Sequence, residues 1–259
     1  MLLMTAQAAA PSPTPSPLAP AGKWTVDYSP TGCTLSRDFA YERETMVFGF
    51  RPTPLMANGD ISLISTGGEV TRAPHGTGKL ILMPMMREMA TRWVSGPLTD
   101  GRNGVLFRAD DKAFWDALPQ ATDIRLEFER GTPITLTLGP MDKAVAGVRT
   151  CADSLLRHWG VDPSAMVGGH AETPFVAKWF NNNDYPAEAR RQGKQGRVHA
   201  VATFDRTGAV IECRVVASSG VAALDNKTCD LVRLRGRVPA AGAGEADVRF
   251  LYMPVRWAI

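Results

Sequence analysis

The stretch that most constrains the fold runs over residues 185–240, where a helix start, a hairpin, a second helix and an exit proline follow one another closely. Asp184-Tyr185-Pro186 puts an acceptor side chain and a proline just before Ala187, Glu188, Ala189, Arg190 and Arg191, all good helix formers. Gly193 or Gly196 ends that helix. From Arg197 the hydrophobic period becomes two. Val198, Ala200, Ala202 and Phe204 share one face, and Arg197, His199, Val201 and Thr203 share a more polar one on which solvation accounts for His199. Asp205-Arg206-Thr207-Gly208 supplies a turn with a glycine for left-handed backbone. On the returning strand Ile211, Cys213, Val215 and Ala217 are expected to face inward, Glu212 and Arg214 outward. Ser218-Ser219-Gly220 breaks it. A helix from Ala222 to about Arg235 then carries Leu224, Thr228, Leu231 and Val232 on one side, with Asp225 early and Arg233 and Arg235 late to suit its dipole. After Pro239, a last strand from Val248 to about Ile259 contains Pro254, which has no N–H to donate and so points to a sheet edge. The economical solution is two helices packed on a three-stranded antiparallel sheet.

These residues resemble the C-terminal domain of TonB-family proteins, the energy transducers of Gram-negative outer-membrane transport. The resemblance rests on an ordered set: Tyr185-Pro186, Ala189, Gly196-Arg197-Val198, Gly208-Ala209-Val210, Ser218-Ser219-Gly220, Leu224-Asp225, Pro239 and Pro254-Val255. It covers roughly 174–259, a third of the chain. It implies a non-enzymatic periplasmic protein that grips the short peptide box of an outer-membrane TonB-dependent receptor by adding it as a strand beside its last strand. The residues it places at such a contact are Tyr185, Pro186, Val248, Phe250, Tyr252, Met253 and Val255. A transducer proper also has a membrane helix that engages an inner-membrane proton-channel complex, and a long spacer. Here the longest apolar run, 80–86, falls far short of the about 18 residues that span a bilayer. Residues 11–22 form a proline-rich spacer, whose stretch from Pro11 to Pro20 reaches only about 30 Å. Such a chain binds but does not pull, unless a start codon placed too far downstream has removed an anchor. The alternative is an envelope interaction or cell-wall docking protein without a transport role, and a homodimer fits either.

Residues 1–10 read as a signal-peptide remnant, an apolar run ending in Ala6-Gln7-Ala8 that lacks a basic start. The net charge of +3 over 259 residues implies neither a nucleic-acid footprint nor a polyanion partner. Residues 23–160 form a β-rich domain of unassigned role, mostly antiparallel, a sheet or sandwich. Period-two runs appear at Trp24-Val26-Tyr28, Cys33-Leu35, Met46-Phe48-Phe50, Ile61-Leu63, Leu80-Leu82, Val105-Phe107, Ile124-Leu126-Phe128 and Ile134-Leu136-Leu138. A helical insert is expected over 111–118. A closing helix follows Pro140, marked by Ala144, Val148, Cys151 and Leu155 and ending near Gly160. Residues 161–178 read as a linker, leaving 179–259 as the C-terminal domain; the fold class is α+β.

Four cysteines fall two to each predicted domain. Cys33 and Cys151 pair in the first, Cys213 and Cys229 in the second, as an exported protein permits. No catalytic, metal or cofactor site emerges. His170-Ala171-Glu172 lacks a partner at ligand spacing. Ser218-Ser219-Gly220 lacks the Gly-x-Ser-x-Gly elbow, and His75-Gly76-Thr77-Gly78-Lys79 lacks the spacing of a phosphate loop. The carboxylates of Asp110-Asp111 and of Glu127 and Glu129 read as surface groups. Arg190, Arg191, Lys194 and Arg197 make the one dense basic cluster, a solvated helix end or a contact for an acidic partner.

Overall fold

The computed structural model describes residues 16–41, 44–68, 70–71, 73–98, 100–167 and 176–259. Its fold is α+β, with one large antiparallel sheet and one small one. The large sheet holds β1 (Thr25–Ser29), β2 (Gly32–Tyr41), β3 (Glu44–Pro52), β4 (Gly59–Ser65), β5 (His75–Met83), β6 (Arg87–Pro97), β7 (Asn103–Ala109), β8 (Asp123–Phe128) and β9 (Ile134–Thr137). Their order in space is β1-β2-β3-β4-β7-β6-β5-β8-β9. Alternate residues turn inward: along β4, Gly59, Ile61, Leu63 and Ser65 are buried while those between are half-exposed.

This sheet does not lie open. The Leu18 N–H donates to Thr135 O (2.8 Å) and Thr137 N–H to Leu18 O (3.0 Å), while Ala21 N–H donates to Asp38 O and Ala40 N–H to Ala19 O. Residues 18–21 thus bridge β9 to β2 and close the sheet into a barrel, so the end of the proline-rich stretch forms a seam. Side chains fill the interior, with Phe39, Phe48, Phe50, Ile61, Leu80 and Phe107 among the most buried.

One strand, β6, is absent from the expected set. Its inward residues Met89, Thr91 and Trp93 alternate with Glu88, Ala90 and Arg92, and a threonine with only two large apolar residues makes a faint hydrophobic signal. Two helices complete the barrel. In α1 (Lys112–Ala117) the Asp111 carboxylate caps the N-terminus, accepting from Ala113 N–H, and Phe114 and Trp115 are buried. The longer α2 (Asp142–His158) buries Val145, Val148, Ala152, Leu155 and Leu156 against β1 and β2 and ends at Gly160, whose φ of 70° suits only glycine well.

The small sheet has the order β11-β10-β12, from β10 (Gly196–Phe204), β11 (Val210–Ala217) and β12 (Arg249–Trp257). The short α3 (Ala187–Arg191) precedes it, and α4 (Ala222–Arg235) packs Leu224, Thr228, Leu231 and Val232 over one face. Two expectations fail here. Ile211 is 58% exposed rather than inward, because Thr203 pairs with Glu212 and Phe204 with Val210, leaving Ile211 as the extra residue of a β-bulge. The second face of β10 is not solvated either. Val201 is 1% exposed and joins the barrel's core cluster with Tyr252.

The cysteines pair as expected, Cys33 with Cys151 and Cys213 with Cys229, with no free cysteine. In the chain-entropy picture the short loop contributes about 3 kcal/mol and the long one about 5 kcal/mol. Thiol titration in denaturant without reductant should therefore find no thiol, and finding all four would remove both bridges along with much of the case for export.

Candidate functional site

Strand β12 pairs with β10 on one side only. The other side is the sheet's edge, and among the described residues it meets the chain itself once: Val167 N–H donates to Phe250 O (2.8 Å), with Met166 bridged in parallel to Phe250. Backbone groups alternate sides along a strand, so an outward Phe250 carbonyl means that Tyr252, Pro254 and Arg256 also direct their main-chain groups outward. Pro254 therefore sits where its missing N–H breaks no bond to β10. The N–H and C=O of Tyr252, the C=O of Pro254 and the N–H and C=O of Arg256 have no partner among the described residues.

Side chains alternate as well. Leu251, Met253, Val255 and Trp257 face α4, and Trp257 Nε1 donates to the Thr228 hydroxyl (2.9 Å). Phe250 and Tyr252 face the barrel. The stretch 181–186 is clamped to the far end of α4: Arg235 donates to both carboxylate oxygens of Asp184 (2.6 and 2.8 Å), and Asn181 N–H adds a third bond. The Arg235 guanidinium holds the Asp184 carboxyl below the usual carboxylate range and is itself raised. Tyr185 then lays its ring edge-on against Trp257 and donates its hydroxyl to Lys194 O.

The expected contact residues are thus divided between surroundings. Met253, Val255 and Tyr185 are core residues of the small sheet, and Pro186 opens α3. Val248, just before β12, is exposed. Tyr252 is 4% exposed; its ring stacks on Trp159 at 5.8 Å and its hydroxyl hydrogen-bonds His199 Nδ1 (2.5 Å). His199 is accordingly not a solvated side chain. Desolvation, helped by Arg51 and Arg108, lowers its pKa to about 4, against an opposing pull from Asp60. Burial likewise pushes the Tyr252 hydroxyl well up.

Residues 181–259 match the family model of the Gram-negative bacterial TonB protein C-terminal. This bears out the resemblance, over the part of the chain that builds the small sheet. No curated protein and no solved structure matches the chain. In the TonB C-terminal module Ser218-Ser219-Gly220 serves α4. Burial alone would raise the Asp225 carboxyl, yet the Ser218 hydroxyl, the Ser219 N–H and the Ser219 hydroxyl all donate to it and hold it below its ordinary value.

The expected basic cluster is dispersed. Arg190 lies over the Tyr185 ring, Arg191 pairs with Glu188, and Arg197 turns away to Asp60 on the barrel (3.0 Å). Asp110 pairs with Arg108, Asp111 with Arg87 and Glu127 with Arg125. Glu129 accepts from the Thr77 hydroxyl. His170-Ala171-Glu172 and Ala6-Gln7-Ala8 lie outside the described residues. Among those described, no group of three or more His, Cys, Asp or Glu could hold a metal, and no helix is long and apolar enough to cross a membrane.

Proposed function

We propose that this chain is a non-enzymatic, periplasmic TonB-like protein that binds the extended peptide box of an outer-membrane TonB-dependent receptor by strand addition to β12. The carrying observation is the outward edge from Tyr252 to Arg256, unpaired among the described residues, in a module that matches the TonB C-terminal family. Main-chain bonds give such a contact its affinity, and alternate side chains of the guest give selectivity. Phe250 O is already engaged by Val167 N–H, so the guest strand begins beyond it.

The test uses fluorescent receptor-box peptides and the full oxidised chain. Saturable binding is expected. Methylating alternate peptide nitrogens removes donors while keeping every side chain, and should weaken binding about tenfold or more. An unaffected methylated peptide would show that the contact is not a strand pairing. If no box peptide binds, the reading as an envelope interaction or cell-wall docking protein takes its place.

A further inference from the structure

Between the barrel and the TonB C-terminal module lies a cleft of about 1250 Å³. Its barrel wall is a row of cross-strand neighbours. Arg51 on β3 faces Asp60 on β4, and Asp60 faces Arg108 on β7. Arg92 on β6 adjoins the Trp93–Phe107 pair at the end of the β6–β7 ladder, and Thr77 on β5 faces Arg92. The module's wall brings Arg197 and Arg256, directly opposed on β10 and β12. Arg130 completes six guanidinium groups against the carboxylates of Asp60 and Glu129.

Like charges set opposite each other across a sheet cost stability. The cleft does this with Arg197 facing Arg256, and gathers Arg51, Arg92, Arg108 and Arg130 around them. Asp60 answers part of it, binding Arg108 through one oxygen and Arg197 through the other, each at 3.0 Å. Arg51, Arg92, Arg130 and Arg256 have no carboxylate within ion-pair reach among the described residues. Arg51 has only the Thr31 hydroxyl, at 3.3 Å. The field is felt by the neighbouring titrating groups: Arg51 and Arg108 both act to lower His199 and Tyr252.

We infer that this cleft is a binding site for a small polyanion carrying two or more phosphate or carboxylate groups, with Arg51, Arg92, Arg130 and Arg256 as its principal contacts. Planar guanidinium forks take either oxyanion in bidentate fashion, and rows of them on two facing walls suit a ligand with separated charges rather than a single ion. The site is distinct from the strand-adding edge. Tyr252 and Arg256 send their side chains to the cleft and their main-chain groups to the edge, so the inference stands whether or not a receptor peptide binds.

Titration calorimetry of the full oxidised chain with tripolyphosphate and, separately, with citrate tests it. One saturable site is expected for at least one probe, weakening as salt rises. Tighter binding of tripolyphosphate identifies a phosphate ligand; tighter binding of citrate identifies a carboxylate one. The double variant Arg92→Gln/Arg256→Gln should lose about tenfold or more in affinity, while Arg190→Gln/Arg191→Gln, on α3, should bind as the natural chain does. If the cleft variant does not fold by circular dichroism, Arg51→Gln replaces it, since that exposed side chain holds only a hydroxyl. Failure of both probes to saturate, or equal losses in the cleft and α3 variants, overturns the inference.

Discussion

Replacing Trp159 by alanine is expected to lower the unfolding free energy by about 3–5 kcal/mol, at the high end for a single substitution. Trp159 is 5% exposed and closes the C-terminus of α2. Its Nε1 donates to Pro30 O (3.0 Å), its carbonyl accepts from Arg214, and its ring stacks on Tyr252. One side chain therefore joins the first hairpin of the barrel, the closing helix and the far face of the TonB C-terminal module. Trp159→Phe keeps a ring against Tyr252 and loses the Pro30 bond, which should cost about 1 kcal/mol. Urea unfolding of the natural chain and both variants checks the ranking. Similar stabilities for all three would mean that the two sheets are not coupled through this contact.

The second large effect is on acid stability. His199 titrates near 4 in the folded chain and near 6.5 when unfolded, so between those values the unfolded chain binds the extra proton. Its contribution is fully present above about pH 6.5 and is lost as pH falls towards 4, amounting to roughly 3 kcal/mol. The groups around the imidazole are Arg51 and Arg108, which oppose protonation, Asp60, which favours it, and the Tyr252 hydroxyl bonded to Nδ1. Asp184, Asp205 and Asp225 are all held below their ordinary value and so lose their contributions lower, mainly below about pH 4. Unfolding free energies at about pH 7 and pH 4.5 should differ markedly for the natural chain, and the His199→Gln variant should flatten that slope. An unchanged slope in the variant would place the sensitive group elsewhere.

The TonB C-terminal module was legible because its determinants are local. A turn at 205–208, a helical stripe from Leu224 to Val232 and a cysteine pair 16 residues apart all fall within a short span. The bulge at Ile211 was not, since an extra residue resets alternation without changing composition. The burial of His199 is hidden in the sequence for a related reason. Period two says that the faces of a strand differ, and does not say whether a second layer covers the more polar one. In the barrel most strands were visible, but the seam at 18–21 was hidden behind prolines. The arginine row could not be read at all. Arg51, Asp60, Arg108 and Arg92 become neighbours only through the order β3-β4-β7-β6, and a net charge of +3 hides the concentration that results.

The most direct test of strand addition is amide hydrogen exchange by NMR on the full chain, with and without a receptor-box peptide. Slowing by about tenfold or more is predicted at Tyr252 and Arg256, whose N–H groups face outward, and little change at Leu251, Met253 and Val255, already paired with β10. Slowing at α4 or in the arginine cleft, with Tyr252 and Arg256 exchanging as before, would contradict it.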